Sequence, residues 1–237
     1  MITYPVVEKF VSINGEGQKA GEVAAFIRMR GCNLSCNYCD TAWANTSDCP
    51  CEFLSTEELL LWLREHKVKN VTLTGGEPLL TAEVESLIET LGASAFSVEI
   101  ETNGSVALTS FHTLLHRPAF TLDYKCPDSG MEKAMNTDNF ALLLPKDTVK
   151  FVVSSITDLE KAREVCTKYN IASHCPIFLS PVFGRIDPKE IVEYMIEHHW
   201  NEARLQLQMH KFIWPPEQRQ QTLQYPLEEA KQSYLYS

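Results

Sequence analysis

The sequence predicts an α/β fold in which parallel strands are covered by helices. Short runs rich in β-branched and aromatic residues alternate with amphipathic stretches of helical period. Those short runs are nearly continuously apolar, as strands buried on both faces are. No repeat, low-complexity tract or Gly/Ser-rich linker divides the 237 residues, so one domain is expected over 1–237, with a polar, proline-punctuated tail from about 215.

The expected strands are 24–29, 71–74, 96–101, 120–123, 149–153 and 176–180. Between them, Ser55 and Glu58 form a capping box before "LLLWLREH". Val84, Leu87, Ile88 and Leu91 follow the helical period, with Gly92 as a stop. Asp158 is read as the start of a helix carrying Ala162, Val165, Cys166 and Tyr169 on one face. Asp187 and Pro188 supply a cap and a first-turn proline for "KEIVEYMIEHH". Repeated β-then-α units imply right-handed crossovers, and either a barrel or an open parallel sheet. In both, ligands gather at the C-terminal ends of the strands.

Composition narrows the function classes. A formal net charge of −10 argues against a nonspecific grip on nucleic acid, so the expected partner is a small molecule. No stretch has the length of a membrane span and the N-terminus lacks a signal-peptide layout, which predicts a cytoplasmic protein. Eight cysteines in a reducing compartment are better metal ligands than disulfide partners.

Every unusual polar stretch follows a strand. "RMRGCNLSCNYCDT" follows the first, "TGGEP" the second, "ETNG" the third and "DYKCP" the fourth, which sets them on one rim. The cysteine loop offers Cys32, Cys36 and Cys39. A structural zinc site closes with four ligands, for which Cys49 or Cys51 is at hand. An iron–sulfur cluster also commonly takes four cysteines, and three would leave one iron open. Spacing alone leaves iron and zinc unseparated. In "TGGEP", two glycines allow close backbone approach to a ligand and Glu77 can accept from an ammonium group.

The CxxxCxxC spacing, Tyr38 before the third cysteine and "TGGEP" resemble the radical S-adenosylmethionine (SAM) enzymes. The resemblance implies a [4Fe–4S] cluster on Cys32, Cys36 and Cys39, with SAM on its open iron. The opening "FVSINGEGQKAGEVAAFIRMRGC", with "CDT", "ETNG", "DYK" and "LQMHKFIW", is similar to the 7-carboxy-7-deazaguanine synthase family, with Asn14 where that family has Gln. It implies an incomplete TIM-like radical SAM barrel of parallel strands and outer helices, and a lyase reaction. In that reaction 6-carboxy-5,6,7,8-tetrahydropterin becomes 7-carboxy-7-deazaguanine with loss of ammonia, on the route to queuosine and the other deazapurines of tRNA modification.

Residue by residue, the resemblance implies substrate contacts from Ile13, Asn14, Gly15, Glu16, Arg28, Thr74 and His210. Glu16, Arg28 and His210 are the catalytic candidates. It implies SAM contacts from Tyr38, Asp40, Gly76, Glu77, Asp123, Tyr124, Lys125, Ser180, Pro181, Val182 and Phe183, and a magnesium ion on Thr41. An external electron donor such as flavodoxin or ferredoxin is implied, and a homodimer. Two readings compete. One is a glycyl-radical-enzyme activating protein, which shares the cysteine spacing. The other is a zinc-binding interaction module that uses Cys49 or Cys51 as fourth ligand.

Overall fold

The computed structural model describes residues 2–46 and 48–214, the side chain of His210 excepted, so the tail expected from about 215 lies outside the described residues. In chain order the elements are β1 (Thr3–Ile13), β2 (Val23–Met29), β3 (Glu52–Ser55), α1 (Thr56–Glu65), β4 (Asn70–Gly75), α2 (Val84–Ala93) and β5 (Ser97–Thr102). After them come α3 (Thr109–His112), β6 (Ala119–Tyr124), β7 (Thr148–Val153), α4 (Ile156–Lys168), β8 (Ile177–Pro181), α5 (Pro188–Glu197), β9 (Ala203–Leu205) and α6 (His210–Ile213).

Among the described residues the nine strands form one sheet in the order β3-β1-β2-β4-β5-β6-β7-β8-β9. From β2 to β9 every pairing is parallel, as expected. The strand β1 is a correction to the all-parallel reading, because it runs antiparallel to both β2 and β3. Strands β1, β3 and β9 were not expected. β9 is only three residues long, and β1 carries charges at Glu8 and Lys9 that hide its strand pattern.

The sheet does not close, but it curls far enough to enclose a lumen. The loop after β1 reaches across to Lys150 on β7 and Ser180 on β8. It also pairs with Gln206 beyond β9, which donates to and accepts from the backbone of Gly17. This is an incomplete barrel.

The strands alternate, which corrects the expectation of continuously apolar ones. Val71, Leu73, Val98, Ile100, Phe120, Leu122, Val149, Phe151, Ile177 and Leu179 face the helices and form the core with Leu59, Leu63, Leu87, Leu91, Leu159 and Ile191. Their neighbours Thr72, Thr74, Glu99, Glu101, Thr121, Asp123, Lys150 and Ser180 face the lumen, by the two-residue period of a strand. A purely structural barrel fills its interior with branched aliphatics. This one keeps a polar interior, as a ligand chamber requires.

Local signals set the helix ends. The Ser55–Glu58 capping box of α1 is present in both directions, and so is one between Asp187 and Glu190 on α5, each worth about 1 kcal/mol. Two readings shift. The helix α4 begins at Ile156, capped by the Ser155 hydroxyl, and Asp158 is a buried acceptor for the backbone of Asp128 and Ser154. Gly92 lies inside α2, where a Cβ would collide with His116; it permits a close approach and does not end the helix.

Candidate active site

The cysteine loop follows β2 at the C-terminal rim. Cys32, Cys36 and Cys39 are free and partly exposed. Two side-chain amides stand against them, Asn103 Nδ2 3.6 Å from Cys32 Sγ and Asn45 Nδ2 3.6 Å from Cys39 Sγ. The Leu34 N–H points at Cys32 Sγ from 3.4 Å. Donors aimed at sulfur favour thiolates and tune an attached cluster. Among the described residues no group of three or more Cys, His, Asp or Glu converges on a point where one ion would sit. The amide and backbone donors aimed at these sulfurs fit a cluster held by thiolates. Cys49 is buried, with its thiol against the Pro50 carbonyl.

The turn after β4 is fitted to this loop. The Glu77 N–H donates to the Gly31 carbonyl at 2.9 Å, and a Cβ on Gly76 would collide with that carbonyl, with Asn45 Oδ1 and with Cys32. Gly75 has φ +150°, a conformation that favours glycine. Gly76 therefore packs directly against the cysteine loop, where a side chain has no room. Glu77 departs from expectation. Its side chain is fully buried, and it accepts from the Leu79 N–H, the Thr102 hydroxyl and, at 2.6 Å, the Asn103 N–H. Burial pushes its carboxyl up to about 7 against these bonds. The carboxylate joins the exits of β4 and β5.

Below the rim, charged side chains run through the lumen. Arg28 donates from Nε to Glu8 at 2.6 Å, and Thr74 Oγ1 donates to Glu101 at 2.7 Å. Glu16 enters from the floor and is held by Lys150 Nζ at 3.0 Å and the Ser180 hydroxyl at 3.0 Å. Lys150 lies 3.5 Å from Asp123, which pairs with Lys125 at 3.0 Å. Burial would raise the Asp123 carboxyl, but Lys125 and Lys150 hold it below the usual range. Its Oδ1 is buried without a hydrogen-bond partner. Such an orphaned acceptor is costly unless a ligand satisfies it. Asn14 Nδ2 is likewise buried and unpartnered, while its Oδ1 accepts from Thr72.

Some expected contacts are already taken. The Asn14 N–H and carbonyl pair with Glu22 and Gly21, and the Gly15 carbonyl with Met209 N–H; Ile13 is in the β1–β2 ladder. Their backbones shape the floor of the chamber. Tyr124 turns outward into the core against Phe140 and Phe151, away from the rim. Tyr38 crosses the chamber mouth to donate to the Val152 carbonyl at 3.1 Å, with the Arg185 guanidinium over its ring. Asp40 is exposed, Pro181 and Val182 are partly buried at the rim, and Phe183 is 67% exposed beside Lys211. Thr41 Oγ1 lies 3.7 Å from Cys39 Sγ. His210 opens α6, and its side chain lies outside the described residues. Sequence reasoning missed Glu8, Asn45, Glu101, Asn103 and Lys150. All are inward-facing or rim polar residues, legible once the strand alternation is known.

The profile of the radical SAM superfamily matches residues 26–139. The chain is 52% identical over 219 residues to the 7-carboxy-7-deazaguanine synthase of Clostridium acetobutylicum, covering 92% of this chain and 99% of that protein. It is 37% identical over 212 residues to that of Methanospirillum hungatei, covering 89% and 86% respectively. In structure it is similar to QueE from Escherichia coli, with a TM-score of 0.69 at 24% identity, covering 87% of this chain and 94% of the other.

Proposed function

Because the chain belongs to the 7-carboxy-7-deazaguanine synthase family of radical SAM enzymes, we propose that it contracts 6-carboxy-5,6,7,8-tetrahydropterin to 7-carboxy-7-deazaguanine in the polar lumen, with release of ammonia. The observation that carries this reading is the pairing of inward-facing Glu16 and Arg28 beneath the cysteine rim, each already oriented by a second residue.

Cys32, Cys36 and Cys39 would hold the [4Fe–4S] cluster, with SAM in the groove by Gly76, Asp123 and Ser180. When bound, the cluster and SAM would supply the radical chemistry that removes hydrogen from the pterin. The chain's residues place the substrate for this. Arg28, with Nε committed to Glu8, offers its terminal nitrogens to the substrate carboxylate. Glu16 keeps lone pairs on both oxygens for the amino-pyrimidine N–H pair, and Thr74 and His210 complete the contacts. The Asp123 Oδ1 without a partner is an acceptor available to ligand. Tyr38, drawn across the mouth, excludes water from the radical step.

Thr41 would give a hard oxygen to magnesium, the remaining sites being water and substrate carboxylate. A flavodoxin- or ferredoxin-type donor, a homodimer and a cytoplasmic setting belong to the same reading. Eight free cysteines support that setting. The test is anaerobic reconstitution with iron and sulfide, then incubation with the carboxy-tetrahydropterin, SAM, Mg²⁺ and dithionite, with products identified by mass. A brown protein that yields the deazapurine is expected. An iron-loaded protein that cleaves SAM but leaves the pterin untouched would defeat the substrate assignment.

A further inference from the structure

We propose that Lys150 is a positioning residue for the pterin, orienting the Glu16 carboxylate for the amino-pyrimidine edge. This rests on the reading of Glu16 as the substrate acceptor. Glu16 stands on an irregular loop between β1 and β2, so no secondary structure fixes its side chain. What fixes it comes from the far side of the chamber. Lys150 on β7 binds Oε2, and Ser180 on β8 binds Oε1, each at 3.0 Å. Both side chains of the Glu16–Lys150 pair are only 10% exposed.

The pair also decides the form of the carboxylate. Burial alone would push Glu16 up, and Asp123 on β6 adds to that. The charge and hydrogen bond of Lys150 outweigh both and, with the Ser180 hydroxyl, hold Glu16 below the usual carboxylate range. Lys150 is in turn kept charged by Glu16, Asp123 and Glu101 against its own burial. Lys125 pairs with Asp123 and stands one place further out. Without Lys150, only the Ser180 bond would oppose burial and Asp123, and Glu16 would take up a proton as pH falls. A protonated oxygen would then meet the N–H pair of the pterin donor to donor.

The experiment uses reconstituted holoenzyme and 6-carboxypterin, a fluorescent pterin with the same N–H edge, titrated between about pH 5.5 and 7.5. Parent affinity is expected to stay flat. Lys150→Met is expected to bind about 10- to 100-fold more weakly at the acid end, recovering as pH rises, while Lys150→Arg restores most of the affinity. Combining Lys150→Met with Glu16→Gln is expected to cost little more than Glu16→Gln alone. Iron and sulfide content per chain are expected to match the parent. Unchanged binding in Lys150→Met, with binding lost in Glu16→Gln, would overturn the proposal and leave the Glu16 reading standing. Normal binding in Glu16→Gln would overturn that reading itself. A loss in Lys150→Met that is equal at every pH, or accompanied by lost iron, would mark Lys150 as structural only.

Discussion

Glu8 faces Arg28 across the antiparallel β1–β2 pair because a bulge at Val7 reverses the strand alternation between them. Val6 lies opposite Met29 with both side chains in the core, yet Glu8, two residues on, lies opposite Arg28. Without the extra residue, Glu8 would share the core face of Val6; with it, Glu8 meets Arg28 Nε at 2.6 Å and Phe10 stacks on Phe26 at 5.0 Å. The guanidinium is thereby held by one edge, and no partner to its terminal nitrogens is seen among the described residues.

Glu8→Gln is therefore expected to weaken substrate binding without destroying the chemistry. Loss of the charged partner should raise KM for the carboxy-tetrahydropterin roughly 10-fold and change kcat by less. Steady-state kinetics separate the two. A fall in kcat at constant KM would speak against a purely orienting role.

Gly76→Ala tests the seat of the cysteine loop. The added methyl would meet the Gly31 carbonyl, Asn45 and Cys32, so the loop must shift. Iron and sulfide per chain after reconstitution should drop well below the parent, while far-UV circular dichroism stays the same.

Glu77 predicts a pH dependence of stability. Its carboxyl is raised in the folded state from 4.5 to about 7. A raised carboxyl means that the folded chain holds the proton more tightly. The contribution is fully present below 4.5 and is lost as pH rises through about 7. Over that span the shift corresponds to about 3 kcal/mol at most. Denaturant unfolding of the cofactor-free protein should show the decline, and Glu77→Gln, uncharged throughout, should lose most of that slope.

At the opposite end of the barrel, Asp147 is fully buried and accepts from Arg117 Nη2 at 2.6 Å, Nη1 at 2.9 Å and the Leu144 and Phe120 N–H groups. Asp147→Ala would leave a buried guanidinium uncompensated, at a cost of about 3–5 kcal/mol. For a chain of this length each kcal/mol is roughly 2–4 °C, so the melting midpoint should fall by roughly 6–20 °C. Activity per folded molecule should stay near the parent's, because this pair lies at the N-terminal ends of the strands.

The features set by local chemistry are legible in the amino-acid sequence alone. Three cysteines in one loop, a glycine pair after a strand, capped helices and six of the strands follow from spacing, backbone freedom and periodicity, each acting over a few residues. The parts that the tertiary structure decided all depend on distant partners. Glu16 and Ser180 are 164 residues apart, Glu16 and Lys150 134. No local pattern distinguishes Lys150 in "TVKFVV" from a solvated strand lysine, or Glu77 in "TGGEP" from a carboxylate open to ligand. Burial and a partner decide what a charge does, and both exist only once the sheet has curled.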